Sequence, residues 1–552
     1  MYKGGNSFLK ASDLFMQCLE NEGVEYIFGI PGEENTDLID SLIGSKIEFV
    51  LVHHEQAAAF MADVYGRLTG KPGVCLATLG PGATNLLTGI GDAYLDRSPV
   101  VAITGQAGLD RIHKESHQYV DIIGVFEKVT KWNQQIRVPK TIPEIIRKAF
   151  KVAVSEKPGA VHIELPEDIA MADTEGKPLQ VTPIPLSCPD EAEIKKAAEI
   201  INRASKPIIL AGNGVIRDKA SESLRKFAEE KNIPVVNTFM SKGVLPSDHP
   251  LTLFTVGMQA KDYVLCGFDQ ADLIITIGYD FVEYLPKYWN DEAMNPIVHI
   301  DSLSAEVDEY YPLAAELVGN VGRAVELLSP HVEKKELWPG VKKLKAQLDE
   351  KLHADDEVSG SPVKPQRILA DIKKAGKEEA IIISDVGAHK VWVARMYQPD
   401  QPNHTIISNG WASMGIAVPG AIAAKLAHPD KPVIAVTGDG GFLMNGVELA
   451  TAKRLGLAFV VVIFHDSKFG LIEWKQLNKF NRTNDIQFKD PDFMEFAESF
   501  GAKGVKVKHS DELLPALKDA LNSKEIVLID VDVDYSENVK LSKTLGDYIC
   551  KL

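Results

Sequence analysis

PVIAVTGDGGFLMNGVELATAKRLGLAFVVVIFHD, residues 432–466, holds two apolar runs of strand length either side of a stretch long enough for a helix. The first run, VIAVT, breaks into Gly438-Asp439-Gly440-Gly441, and the second, AFVVVIF, into His465-Asp466. Unbroken apolar strands suit a parallel sheet covered on both faces, where no strand face meets water. Asp439 and Asp466 are 27 residues apart, the length of one strand–helix–strand unit. Such a unit sets both Asp side chains at adjacent strand ends, where open parallel sheets bind ligands. Two carboxylates are hard ligands for Mg²⁺, and the N–H groups of a Gly-rich turn can face a phosphate. The Gly-rich turn alone is a weak signal, because many strands end in one. The pair is more specific. GDGGFL and GNGVIR both lack the third Gly of G-x-G-x-x-G, which disfavours a nicotinamide site.

The same alternation recurs along the chain. A first block has VEYIFGI (24–30), IEFVLVH (47–53), GVCLAT (73–78), PVVAITG (99–105) and AVHIELP (160–166), with helical patterns at Ala57–Leu68 and Ile142–Val154. A second has PIILAG (207–212), IPVVNTF (233–239), DLIITIGY (272–279) and PIVHID (296–301). A third adds AIIISDVG (380–387), HTIISN (404–409) and IVLIDVDVD (526–534) to the opening pair. Pro178–Pro189 reads as a linker, and Val332–Pro365 as a charged helix followed by an exposed linker. Trp411–Ala427, with Lys425 as its one charge, reads as a buried α/β element. The chain is thus α/β, with three doubly wound parallel-sheet domains expected at 1–180, 190–345 and 362–552. No short repeat is present, which excludes a solenoid.

Composition narrows the function. The 552 residues contain 60 Lys plus Arg against 77 Asp plus Glu, a formal charge of −17 that argues against nucleic acid as a partner. Five cysteines, at 18, 75, 188, 266 and 550, form no C-x-x-C pair and read as reduced thiols. The first twenty residues lack an apolar signal core, and no apolar run approaches the ~20 residues of a membrane span. A cytoplasmic protein without membrane contact is expected.

Near the N-terminus, IEFVLVH runs into His53-His54-Glu55-Gln56 and an Ala-rich helix. A carboxylate there is either a helix N-terminal acid complementing the dipole or a buried group awaiting a partner. Downstream, Gly80-Pro81-Gly82-Ala83-Thr84-Asn85 follows a strand and opens a helix. Taken in order, the Glu55 turn, the GPGATN turn and Asp439 with Asp466 resemble thiamine-diphosphate-dependent enzymes of the pyruvate oxidase and acetohydroxyacid synthase group. The resemblance covers nearly the whole chain. It implies pyrimidine-binding, central and diphosphate-binding domains in that order.

The resemblance also implies roles. Asp439, Asp466 and the Lys468 carbonyl would ligate Mg²⁺, although much of the family has Asn at the Asp466 position. Gly440 and Gly441 would line the diphosphate, as would Ala388 and His389 at the turn after AIIISDVG. The alternative for His389 is a capping histidine at a helix start. Glu55 would bond N1′ of the aminopyrimidine, with Asn85 also at the cofactor. Met414 resembles the apolar residue that wedges beneath the cofactor, and the Ala412 carbonyl would orient its amino group. Ordinary core packing is the alternative for Met414.

Three features lean towards acetolactate formation from 2-keto acids. His117-Gln118 sits where acetohydroxyacid synthases carry a pocket Gln. IGYDFVEYLPKYWN (277–290) resembles the catabolic, flavin-independent acetolactate synthases, as do FNRT (480–483), AESFGA (497–502) and VDYSENV (533–539). Met414 and Trp474 resemble the flavin-containing branch instead, where a Trp narrows the pocket for the second keto acid. Gly212-Asn213-Gly214 and Gly257-Met258-Gln259-Ala260 match that branch's flavin loops only in part, so thiamine diphosphate and Mg²⁺ are expected and FAD is not. In this family the cofactor lies between two subunits, implying a homodimer or homotetramer. The alternatives are a simple thiamine-dependent 2-keto-acid decarboxylase, whose customary His-His pair is matched only by His53-His54, and a non-catalytic thiamine-diphosphate-binding protein.

Overall fold

The computed structural model describes residues 9–257, 263–292 and 294–538. Parts of GMQA, the last residue of VDYSENV and Cys550 lie outside them. Three six-stranded parallel sheets organise the chain, with helices between most successive strands. A short strand β1 (Leu9–Lys10) precedes the first sheet, built from β2 (Tyr26–Gly29), β3 (Glu48–Leu51), β4 (Gly73–Ala77), β5 (Val100–Gln106), β6 (Trp132–Gln135) and β7 (Ala160–Pro166). Its order is β3-β2-β4-β5-β7-β6, and β8 (Asp173–Thr174) returns antiparallel to β1. The second sheet comprises β9 (Pro207–Ala211), β10 (Val235–Asn237), β11 (Thr252–Thr255), β12 (Leu273–Ile277), β13 (Ile297–Asp301) and β14 (Leu313–Val318), in the order β11-β10-β9-β12-β13-β14. The third comprises β15 (Ile381–Ser384), β16 (Thr405–Ile407), β17 (Val433–Gly438), β18 (Val460–His465), β19 (Lys503–Val507) and β20 (Val527–Asp532), in the order β16-β15-β17-β18-β20-β19.

The central strands are the expected apolar runs. β4, β5, β7, β9 and β12 are buried along their whole length, as strands covered on both faces must be. Within the six-stranded sheets, four strands escape the sequence pattern: β6 (WNQQ), β11 (TLFT), β14 (LAAELV) and β19 (KGVKV). All four are sheet edges. β6, β14 and β19 are only partly buried, and β11 is four residues long, so none needs a long apolar run.

Helix boundaries follow local chemistry. The helix Glu55–Thr69 opens with His54 Nδ1 accepting the Gln56 N–H and closes on Gly70 at φ 71°. The helix Pro81–Leu95 has Pro at its first position. The stretch 411–427 departs from expectation: its helix covers only Ala417–Ala427, while Trp411 and Ala412 are exposed. Ala412 has φ 57°, a left-handed conformation that interrupts regular structure. The residues around Pro178–Pro189 carry no regular structure, and the second linker contains the helix Pro339–His353.

Contacts gather the chain into two compact units. One contains the residues up to Pro185 together with Gly410–Pro429 and Asn445–Gly456. The other contains Leu186–Asn409, Asp430–Met444 and the residues from Leu457 onward. Cys18, Cys75 and Cys266 are buried and Cys188 is exposed, and none of them is in a disulfide. No helix among the described residues is long and apolar enough to cross a membrane.

The core of the first unit includes a titratable group. His162 on β7 is buried, with Nε2 2.8 Å from the Thr104 hydroxyl and its ring stacked 4.2 Å from that of Phe126. Burial depresses its pKa from 6.5 to about 3. The unfolded chain therefore binds a proton that the folded chain resists, so stability is present above pH 6.5 and lost as pH falls towards 3. The urea midpoint should be lower at pH 5 than at pH 7.5, and His162→Gln, which keeps a partner for Thr104 without titrating, should remove part of that slope.

Candidate functional site

The third sheet reverses its winding between β15 and β17, and the first turns of the helices after these strands, Ala388–Met396 and Asp439–Asn445, carry the expected diphosphate residues. β17 and β18 are paired with Gly438 opposite Phe464, which puts Asp439 and Asp466 at neighbouring strand ends. Asp439 Oδ2 accepts the backbone N–H groups of Asp466 (2.9 Å) and Ser467 (2.7 Å), and its Oδ1 accepts that of Gly440 (2.7 Å). Asp466 Oδ2 is buried and has no hydrogen-bond partner. Burial raises the pKa of Asp439; burial and then the charge of Asp439 push Asp466 up to about 7. The Tyr535 hydroxyl is also held well above its usual range, by burial and then by the same two acids.

Two desolvated carboxylates with an unsatisfied oxygen form a donor set that fits a divalent cation. The Lys468 carbonyl accepts the Gly470 N–H at 2.9 Å and retains a second lone pair, while Lys468 Nζ pairs with Glu473 at 2.8 Å. Gly441 lies so close to Asp385 that a Cβ would stand 2.7 Å from its Oδ1, leaving the backbone open only as glycine. A Cβ on Gly440 would come 3.0 Å from the Phe469 ring. Ala388 begins the helix Ala388–Met396, and His389 is buried in its first turn with Nε2 unpartnered and its pKa driven down to about 3 by burial. A neutral imidazole under the turn is therefore present, rather than a cation facing phosphate. Trp474, in the helix Gly470–Phe480 that follows the Asp466 loop, is buried.

Other residues here carry weaker signals in the sequence. Asp385 follows β15 with Oδ1 accepting the Val386 N–H at 2.8 Å, and its place in SDVG after a strand is the signal that marks it. His465 bridges Asp530 (2.8 Å) and Asp490 (3.1 Å), and its pKa is raised chiefly by the Asp530 hydrogen bond. Asp439, His465 and Asp490 have ligand atoms within 4.8 Å of one another. Nothing local in the sequence points to Asp490.

The other compact unit gathers a second cluster, where the first sheet reverses between β2 and β4. Glu55 is buried, and its Oε2 accepts the Asn85 side-chain N–H at 2.9 Å. A Cβ on Gly82 would stand 3.2 Å from Glu55 Oε1, and one on Gly80 only 2.5 Å from the Gln118 carbonyl. The GPGATN turn thus joins Glu55 to Asn85 and Gln118. Gln118 is exposed and held at φ 57°. Glu448, fully buried, accepts the N–H groups of His53 (2.9 Å) and His54 (3.2 Å) and so fixes the turn that presents Glu55. The segment bearing Ala412 and Met414 belongs to the same unit. It is anchored by Gly410 N–H on Asp96 Oδ1 (2.6 Å), by Trp411 packed on Gly91, and by Asn445 donating to the Gly415 carbonyl (2.8 Å). Met414 is half-buried.

At the corresponding reversal of the second sheet, Glu283 is buried and receives the Asn213 N–H on its two oxygens, at 3.0 and 3.1 Å. The Thr238 hydroxyl also donates to it, and burial pushes its pKa up to about 7. Tyr279, Tyr284 and Trp289 pack behind it as a buried aromatic group, with Tyr279 and Trp289 edge to face at 5.6 Å.

Comparison with known proteins agrees with this layout. Residues 9–125 match the thiamine pyrophosphate enzyme N-terminal TPP binding domain, 194–328 the central domain and 385–531 the C-terminal TPP binding domain. The chain is 35% identical over 544 residues to an acetolactate synthase of Bacillus subtilis (strain 168), covering 97% of this chain and 95% of that protein. The chain belongs to the acetolactate synthase family of thiamine pyrophosphate enzymes. Membership extends across deep divisions: a probable acetolactate synthase large subunit of Methanocaldococcus jannaschii is 37% identical, covering 96% of this chain and 93% of that one. The acetolactate synthase large subunit of Haemophilus influenzae is 34% identical, with 96% of each chain covered.

For a family member with this acid pair, cation and diphosphate should bind together, because two carboxylates repel a diphosphate unless a cation stands between them. Asp439→Ala should abolish binding of both in titration calorimetry, and EDTA should do the same to the unaltered protein.

Proposed function

We propose that this chain is an acetolactate synthase that uses thiamine diphosphate and Mg²⁺ to join two small 2-keto acids with loss of CO₂, pyruvate giving 2-acetolactate. The observation that carries this reading is similarity to acetolactate synthases along 97% of the chain, so that every candidate site residue lies inside the aligned family. We place the pyrimidine-binding domain at 1–180, the central domain at 190–345 and the diphosphate-binding domain at 362–552.

Bound thiamine diphosphate supplies a nucleophilic carbon and an electron sink for the charge released with CO₂. Asp439 and Asp466 hold the cation, with the Lys468 carbonyl completing the protein's ligands. Gly440, Gly441 and the Ala388–His389 turn leave room for the diphosphate. Asn85 holds the Glu55 carboxyl through Oε2, and that carboxyl would share a proton with N1′ of the pyrimidine. Met414 and the Ala412 carbonyl position the ring. Gln118 and Trp474 place the keto acids.

A simple decarboxylase is not favoured. Its His-His pair would have to be His53-His54, whose backbone is tied to Glu448 while His54 Nδ1 caps a helix. Flavin is not needed in this reading, because Glu283 already supplies an anion to the Asn213 N–H where a dinucleotide phosphate would bind. Exposed Trp411, Phe469, Ile472 and Phe480 support a homodimer or homotetramer that covers them. We place the enzyme in the cytoplasm.

Product analysis with pyruvate tests the function: acetolactate is expected, while acetaldehyde or no product would reject it. Glu55→Gln should retain the fold and cofactor binding yet lose turnover by about 100-fold or more. NMR exchange of the cofactor C2 proton checks this, and a wild-type exchange rate would remove Glu55 from the mechanism. The purified protein should lack flavin absorbance and be fully active without added FAD.

A further inference from the structure

Glu164 lies near the end of β7, buried, beside a polar cavity of about 240 Å³ that Tyr119, Asp121, Gln135 and Arg137 help to line. Its Oε2 accepts Gln106 Nε2–H at 3.0 Å and its Oε1 accepts Gln135 Nε2–H at 2.6 Å. Neither glutamine can turn over. Gln106 Oε1 takes the Ala107 N–H at 2.9 Å, and its Nε2 also donates to the Val120 carbonyl at 3.1 Å. Gln135 Oε1 takes the Arg137 Nε–H at 2.8 Å. Both Glu164 oxygens therefore face fixed donors, which the ionised carboxylate accepts more strongly than the protonated acid.

The segment 107–121 joins β5 to the next helix and carries Gln118 in its left-handed conformation. One end is tied to Glu167, whose Oε1 takes the Gly108 N–H (3.1 Å) and pairs with Arg111 (2.9 Å). The other end is tied at Val120, two residues past Gln118, through Gln106 to Glu164. We propose that Glu164 is a positioning residue for the acetolactate reaction, holding through Gln106 the segment that presents Gln118 to the keto acid. The inference rests on Gln118 being a substrate residue.

The hold should weaken with acid. Burial, with Asp121 adding and Arg137 opposing, places the Glu164 pKa at about 7. The titratable groups around it are Tyr119 and Asp121 from the segment, Arg137 from beyond β6, and His162 on β7, which burial keeps neutral. Protonation turns one oxygen into a hydroxyl, a poorer acceptor, and weakens both arms.

The test compares the holoenzymes of wild type, Glu164→Gln, Gln106→Met and Gln118→Ala by steady-state kinetics with pyruvate and by amide hydrogen exchange of residues 107–121. Glu164→Gln should speed exchange in that segment and raise KM about tenfold, with kcat within about twofold. Wild type should show the same KM rise as pH falls below about 7, and Glu164→Gln should not. Gln106→Met should behave alike, and the double variant should be no worse than either single one. Unchanged exchange in both Glu164→Gln and Gln106→Met overturns the inference, whatever activity does, and Gln106→Met decides the matter if Glu164→Gln fails to fold. Faster exchange with unaltered KM in those variants and in Gln118→Ala bears out the hold on the segment and overturns Gln118 as a substrate residue.

Discussion

Asp439 and Asp466 repel each other at the ends of two paired strands, and much of the diphosphate-side cluster is arranged around that repulsion. In water such a pair would separate or protonate; here the register of β17 and β18 forbids separation. Three backbone N–H groups steady Asp439, while Asp466 keeps an oxygen that nothing satisfies. Gly440, Gly441 and the closeness of Asp385 keep the arrangement tight, and His465 and Lys468 offset only part of the repulsion. A cation between the two carboxylates would relieve this desolvation.

Buried acids do a different job elsewhere in the same chain. Glu448 fixes the turn before Glu55, Asp96 holds Gly410, and Glu283 receives the Asn213 N–H. In each case a carboxylate accepts main-chain N–H groups where a strand or helix changes direction. A peptide group that would otherwise be stranded gains a strong acceptor, and a loop becomes a fixed platform. A minority of the 77 acidic residues is thus internal scaffolding, which a net charge of −17 cannot reveal.

The central strands and the Asp439–Asp466 pair were legible because full burial imposes continuous apolar runs, and because strand ends in a parallel sheet collect ligands. Edge strands such as β6 and β19 were not, since a half-exposed strand has no distinctive composition. The Glu55–Asn85 contact joins residues 30 apart through a turn whose glycines were visible. Glu448 and Asp490 left no trace, because their roles come from distant backbone or from one imidazole. His389 was visible as a position, but its burial as a neutral ring was not, because burial depends on packing from all sides.

The first compact unit takes in Gly410–Pro429 and Asn445–Gly456, long after the sheet it belongs with has ended. A ribosome adding about 5–20 residues each second must run for roughly a quarter of a minute to a minute between the two parts. Through that interval the turn before Glu55 lacks Glu448, and Asp96 lacks Gly410. The nascent N-terminal part therefore waits, incomplete, while the central domain is made. A gene cut between the second and third domains would separate these parts onto two polypeptides, so the domain boundaries visible in the sequence are poor places to divide this protein.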